Sequence, residues 1–284
     1  MRYLFLHVLP PLLLIFGPLA HATESEPKNT AKVLTIGNSF AENSIRFLPE
    51  LARSGGKQLV LFRANLGGHS LQQHVEYLET FSADPLNPKG SPYKASTTAG
   101  GDGKKISLQE ALRSDAWDVV TIQQVSHLSP QYETYQPYAG KLIEFIKKHA
   151  PQARILIHET WAYPSDCTRY KDPATPYLKD PETMYQNVKA AYGQLSKETG
   201  LGMIRVGDAF HSVMTGPDPI RLHGINKDGT GDFHANANGQ FLGAAMFYEA
   251  VFNDSVLDNP FLPNEVTPEV ARRLRDVAHA TPVR

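Results

Sequence analysis

The chain predicts an α/β fold, a single domain built on a five-stranded parallel sheet with helices on both faces. Three observations lead there. Short apolar runs alternate five times with amphipathic helical patterns, and such alternation requires a parallel sheet covered on both sides. The run 118–123 (DVVTIQ) is apolar almost without interruption, as expected of a strand buried on both faces. Ser39, Gly68, Gln123 and His158 each fall at the end of a predicted strand or just after it, and the carboxyl edge of such a sheet is where sites form.

The first strand is the run 33–36, which leads into Gly37-Asn38-Ser39-Phe40. The spacing of Ile45, Leu48 and Leu51 predicts one helix over 40–51, stopped at Ser54-Gly55-Gly56. Residues 59–64 form the second strand, and after Asn65-Leu66-Gly67-Gly68-His69-Ser70 a helix is predicted over 71–81. Residues 83–105 are rich in Pro, Gly, Ser, Thr and Lys and predict a surface excursion or small hairpin outside the core. Ser107-Leu108-Gln109-Glu110 is a capping box that opens a short helix. A helix over 138–149, stopped by Pro151, precedes the strand 153–158. The Pro-rich loop 162–181 is expected to wall the site. Pro181 and Glu182 open a helix to Thr199, 202–206 is the fifth strand, and 208–214 a short helix. A loop rich in Gly and Asp then carries Asp228, Asp232 and His234 before the last core helix, 236–252. Thr267-Pro268-Glu269 caps a C-terminal helix over 267–279.

The 284 residues are 41% hydrophobic and 20% charged, enough for one sizeable core. A formal net charge of -1 gives no footprint for nucleic acid. The single cysteine, Cys167, rules out an internal disulfide and argues against a cysteine-rich metal site. Arg2, the apolar stretch 3–16 and Ala20-His21-Ala22 read as a signal peptide over 1–22. Pro10 and Pro11 break that stretch, which is too short for a membrane span, and no Cys follows it for lipid attachment. The expectation is a secreted or periplasmic protein without a stable membrane anchor. Its lead-in over 23–31 is expected to be disordered and its domain to span 32–284.

A strand that turns through Gly-Asn-Ser into a helix delivers a hydroxyl beside free backbone N–H groups and the positive end of the helix dipole. Ser39 is therefore the nucleophile candidate. Ser is also a favoured N-cap, so the motif alone permits a purely structural Ser39. A serine needs a base, and His234 in GDFHANANGQFLGA is the best candidate, with Asp232 or Asp228 to orient its ring. The developing oxyanion needs donors: the Ser39 N–H, the Gly68 N–H and the Gln123 amide are candidates. His69, His74, His127, His158, Glu159 and Trp161 are expected around the pocket, with Trp161, Tyr163 and Tyr170 as a wall for a sugar ring. No His pair has helical metal-ligand spacing with a Glu, so neither metal nor cofactor is expected.

In this order along the chain, IGNSF, NLGGHS, VVTIQQVS and DFHANANGQFLGA resemble the SGNH (GDSL-type) hydrolase superfamily. GGHSLQQH and HETWAY are similar to an uncharacterised bacterial branch, and the resemblance covers about residues 32 to 252. It implies a flavodoxin-like α/β/α sandwich and hydrolysis of a carboxylic ester through an acyl-enzyme, with Ser39 as nucleophile, His234 as base, and oxyanion donors from Ser39, Gly68 and a third-block side chain. The third block lacks the usual Gly-x-Asn, so Gln123 or Gln124 takes that place; likeness to sialate and xylan acetylesterases favours Gln123. The last block lacks the usual Asp-x-x-His, because Gly231 stands where the Asp belongs and Asp232 is one residue nearer. Adjacent side chains in an extended segment face opposite ways, which sets the reach of Asp232 against that of Asp228. The expected substrate is a small-molecule or glycan ester, with acetyl on a carbohydrate foremost. A lipid or thioester hydrolase, an acyltransferase, and a non-catalytic glycan-binding module on the same fold are the alternatives.

Overall fold

The computed structural model describes residues 27–283. The expected signal peptide and the first residues of the lead-in lie outside them.

β1 (Thr30–Gly37) runs into α1 (Ser39–Ile45) and α2 (Leu48–Ser54), and β2 (Gln58–Asn65) follows. The single helix expected over 40–51 is two, because Pro49 has no N–H for the Ile45 carbonyl and its ring would collide with that carbonyl. Pro49 falls instead in the first turn of α2, where a missing N–H costs nothing. α3 (Leu71–Ala83) opens on a capping box of Ser70 and Gln73. The excursion holds a two-strand hairpin, β3 (Tyr93–Lys94) and β4 (Lys105–Ile106). It is not wholly outside the core, since Tyr93 is 1% exposed and meets His74 at 2.7 Å.

α4 (Leu108–Arg113) carries the expected Ser107–Glu110 capping box. β5 (Val119–Ile122), α5 (Tyr138–His149), β6 (Arg154–His158) and α6 (Pro181–Thr199) follow. β7 (Gly202–Ile204) is shorter than expected because Val206 already begins α7 (Val206–Thr215). The Gly- and Asp-rich segment is not a loop: it folds as an antiparallel hairpin, β8 (His223–Ile225) and β9 (Gly231–Ala235). α8 (Ala237–Phe252) and α9 (Pro268–Ala280) complete the chain, capped by Asn236 and Thr267.

The main sheet has the order β2-β1-β5-β6-β7, and every pairing in it is parallel. Counted along the chain this is 2-1-3-4-5, the flavodoxin-like order. One group of helices comprises α1, α2, α7, α8 and α9, and a second comprises α3, α4 and α5. α8 is buried almost all round because it packs on both the sheet and α9. Phe241, Phe247 and Phe252 in it are 0% exposed, and burying each stabilises the fold by about 1.5–3 kcal/mol. The carboxyl ends of β1, β2 and β5 lie side by side, and the candidate residues Ser39, Gly68 and Gln123 follow them.

Candidate active site

Ser39 is the first residue of α1, not its cap. Asn38 is the N-cap: its Oδ1 accepts the Phe40 N–H at 3.1 Å. The capping role that the motif alone permitted for Ser39 is thereby taken. The Ser39 hydroxyl lies 3.0 Å from His234 Nε2, at a partly exposed position. At the first turn of a helix its own N–H has no intrahelical acceptor, and none is found among the described residues.

His234 is delivered by β9. Asp232 stands two residues earlier on the same strand, so both side chains share a face. Asp232 Oδ1 lies 3.0 Å from His234 Nδ1 and also accepts the His234 N–H at 3.0 Å. A carboxylate only accepts, so Nδ1 carries the ring proton and Nε2 turns a lone pair to the Ser39 hydroxyl. The ring and the carboxylate remain 35% and 30% exposed. Asn43 Oδ1 accepts the Ala235 N–H at 3.0 Å and fastens β9 to α1. Asp228, the alternative partner, is exposed in the β8–β9 turn. It accepts from the N–H and hydroxyl of Thr230, not from the ring.

Asn38 also ties together the three expected oxyanion donors. Its Nδ2 donates to the His69 carbonyl at 3.1 Å, one residue from Gly68, and its backbone N–H donates to Gln123 Oε1 at 3.3 Å. Ser39 is its neighbour in the chain. Gly68 has φ +71°, a left-handed conformation natural to glycine, and its N–H has no partner among the described residues. Because Oε1 is engaged, Gln123 presents Nε2, a buried donor with no partner among the described residues. Gly37 makes room for that amide, since a Cβ there would stand 2.7 Å from Gln123 Oε1. Gln124 is fully engaged elsewhere: Nε2 donates to the Thr134 carbonyl and hydroxyl, and Oε1 accepts from Leu71 and Val125.

Of the four expected substrate contacts, only His69 lies at the rim. It is partly exposed, with Nδ1 2.9 Å from the Gly67 carbonyl and Nε2 2.9 Å from the Tyr77 hydroxyl. His158, Glu159 and Trp161 are core residues, because α1, α7 and α8 cover the end of β6. His158 is 0% exposed and bonds Ser44 Oγ at 3.0 Å, and burial pushes its pKa down to about 3. Glu159 is 0% exposed and accepts the Asp208 N–H at 3.0 Å, and burial, then the nearby Asp208 carboxylate, raise its pKa to about 8. Trp161 is sandwiched between Phe40 and Phe210, at 4.2 and 4.4 Å between ring centroids, and donates Nε1–H to the Phe233 carbonyl.

The other expected pocket residues divide similarly. His74 is buried and neutral, its pKa lowered to about 4 chiefly by burial, and its Nε2–H donates to the Gly37 carbonyl at 2.9 Å. Tyr163 is 2% exposed and bonded to Ser126, while Tyr170 donates to the Tyr163 carbonyl. Neither is a free platform. His127 is partly exposed, and burial and then Arg169 lower its pKa. Two residues of the site escaped the sequence reading. Asn38 carried a signal, being an Asn at a strand-to-helix junction. Asn43 carried none, because its role depends on where β9 lands.

Among the described residues no group of three or more His, Cys, Asp or Glu side chains is placed to hold a metal ion. No helix among them is long and apolar enough to cross a membrane.

The structure thus joins a serine at the end of the first strand to a late histidine, on a parallel sheet of order 2-1-3-4-5. Residues 32–281 match the model of the family described as Domain of unknown function (DUF4886), and the chain belongs to that family. It is similar to the crystal structure of a DUF4886 family protein from Bacteroides uniformis ATCC 8492, with 26% identity over 88% of this chain and 94% of that one and a TM-score of 0.74. A protein of Slackia heliotrinireducens assigned to the SGNH hydrolases shares the fold at 23% identity, covering 78% of this chain and 98% of that one, with a TM-score of 0.53. No curated protein matches.

Proposed function

We propose that this protein is a serine esterase that removes a small acyl group, acetyl foremost, from a carbohydrate through an acyl-enzyme. The observation that carries the reading is the chain of contacts Ser39 Oγ–His234 Nε2 and His234 Nδ1–Asp232 Oδ1, each 3.0 Å. In the first step Ser39 Oγ attacks the ester carbonyl carbon while its proton passes to His234 Nε2, and Asp232 stabilises the imidazolium. The oxyanion is received by the N–H groups of Ser39 and Gly68 and by Gln123 Nε2. His234 then returns the proton to the departing alcohol. Water, activated by the same ring, releases the acid and restores Ser39.

A polar polymer as the alcohol is supported by the position of Ser39 and His234, both partly exposed, and by the polar rim at His69. An apolar cleft of about 350 Å³, lined by Tyr163, Phe210 and Met214, lies behind the Phe40–Trp161–Phe210 stack, which separates it from Ser39 and leaves it unsuited to an acyl chain. In this reading residues 1–22 direct export, a step that N-terminal sequencing of the secreted protein checks. The primary test is hydrolysis of p-nitrophenyl acetate, followed by acetylated xylan and by esters of increasing acyl length. Activity that disappears in Ser39→Ala and falls with acyl length supports the proposal. Activity retained in that variant overturns it.

A further inference from the structure

Beside the Ser39 site lies a second cleft, of about 430 Å³, that no catalytic step above uses. Arg63, Lys94 and Lys105 line it, together with Glu42, Asn65 and Leu66. Its place is fixed by one spacing along α1 and one hydrogen bond. Glu42 is three residues after Ser39 on α1, and residues so spaced share a helix face with Cβ atoms about 5–6 Å apart. The Leu66 N–H donates to the Gly37 carbonyl at 2.9 Å, which sets this wall of the cleft at the root of the loop carrying Gly68.

The charges in the cleft are unbalanced. Glu42 is its only acidic lining residue among the described residues, and it is already held by Arg63 at 3.5 Å and by Asn65 Nδ2 at 2.8 Å. Lys94 and Lys105 are exposed and have no ion-pair partner among the described residues. They are moreover direct cross-strand partners in the β3–β4 hairpin. Like charges placed opposite one another on an antiparallel pair destabilise it, so a two-residue ladder with this pairing is at odds with its own stability. An anion held between the two ammonium groups removes the conflict.

We infer that this cleft is an anion subsite, and that the carbohydrate ester cleaved at Ser39 is an acidic glycan whose carboxylate or sulfate groups it receives. The inference rests on the esterase reading for the reaction, though not for the binding. Lys94 and Lys105 clamp one anionic group, the partly exposed Arg63 offers a second contact beside Glu42, and the acylated residue of the polymer then reaches Ser39 one helical turn away.

Binding is measured by calorimetry on the Ser39→Ala protein, with oligogalacturonate, a sulfated galactan oligosaccharide and a neutral xylo-oligosaccharide as probes. The expected result is binding of one or both acidic probes, weakened about tenfold in Lys94→Gln/Lys105→Gln and lost in high salt, with the neutral probe bound no better in either protein. The two acidic probes separate a carboxylate from a sulfate ligand. Turnover is compared on acetylated pectin and acetylated xylan. The wild type should favour the acidic polymer, and the double variant should lose that preference, whereas Lys147→Gln on α5 should keep it. Equal binding of neutral and acidic probes, or an unchanged preference in the double variant, overturns the subsite. Acidic binding without any Ser39-dependent hydrolysis would retain the subsite and remove the esterase reading.

Discussion

Two serine–histidine pairs hang from α1, and they differ in everything but distance. Ser39 and Ser44 each place Oγ 3.0 Å from a histidine Nε2, of His234 and His158 respectively. His234 is partly exposed, a carboxylate holds its other nitrogen, and unpartnered N–H groups lie beside the serine. His158 is 0% exposed and packs edge-on to Phe247, its Nδ1 has no partner among the described residues, and burial keeps the ring neutral. The pair in the core cannot be reached by an ester, and its imidazolium would have no counter-charge. A short Oγ–Nε2 contact is thus common to both, and what sets the Ser39 pair apart for the proposed reaction is access, the carboxylate and the donors around the serine.

The sharpest way to break this comparison is to remove each serine in turn. Ser39→Ala should lower kcat on the order of 10⁶-fold with the melting temperature unchanged. Ser44→Ala should leave kcat near wild type while costing about 1–3 kcal/mol in urea denaturation, because His158 loses the one hydrogen-bond partner it has among the described residues. If Ser44→Ala proved as inactive as Ser39→Ala, the assignment of roles would fail.

Next in size is the carboxylate. Asp232→Asn should cost about 10⁴-fold in kcat by releasing the ring tautomer, and Asp228→Asn should do nothing to the rate. Gln123→Leu should cost about 10²–10³-fold in kcat with little change in KM, as expected of a donor that acts on the oxyanion. Asn38→Ala should combine a loss of comparable size with roughly 1 kcal/mol of stability, since Asn38 is at once the cap of α1 and the tie to His69 and Gln123.

The smallest effect is on pH dependence. His74, His158 and His223 have pKa values pushed by burial from 6.5 to about 4, 3 and 4. Between those values and 6.5 the unfolded chain binds protons that the folded one does not, so stability falls as pH drops through this window. Glu159 acts in the opposite sense: with its pKa raised from 4.5 to about 8, the folded chain keeps a proton that the unfolded one releases, and stability falls as pH rises toward 8. These four groups place the maximum near pH 6.5. Denaturation midpoints at pH 5, 6.5 and 8 check this, and His158→Leu should flatten the acid side.

The layered fold and the two ends of the Ser39–His234 contact were legible because they depend on local signals: apolar alternation, a strand turning into a helix, a histidine before a capped helix. What failed depended on packing from afar. His158, Glu159 and Trp161 follow a strand end, as site residues do, yet nothing local says that helices close over them. The doubt over Asp232 came from its standing one residue nearer the histidine than the usual Asp-x-x-His spacing; in the strand β9 a spacing of two gives a shared face. Tyr93 was hidden in a segment whose composition reads as solvent, and the break at Pro49 was present in the sequence but outweighed by helical spacing on either side.

The contact between Ser39 and His234 spans 195 positions of the chain, so the proposed nucleophile is synthesised early and its proposed base almost last. A nascent chain that has laid down β1, β2 and β5 already displays the serine but has no group to take its proton. The pair that the proposed reaction needs is therefore assembled only when the β8–β9 hairpin docks on α1 through Asn43, a long-range closure that belongs to the end of folding. In refolding, recovered turnover should lag behind recovered helix content.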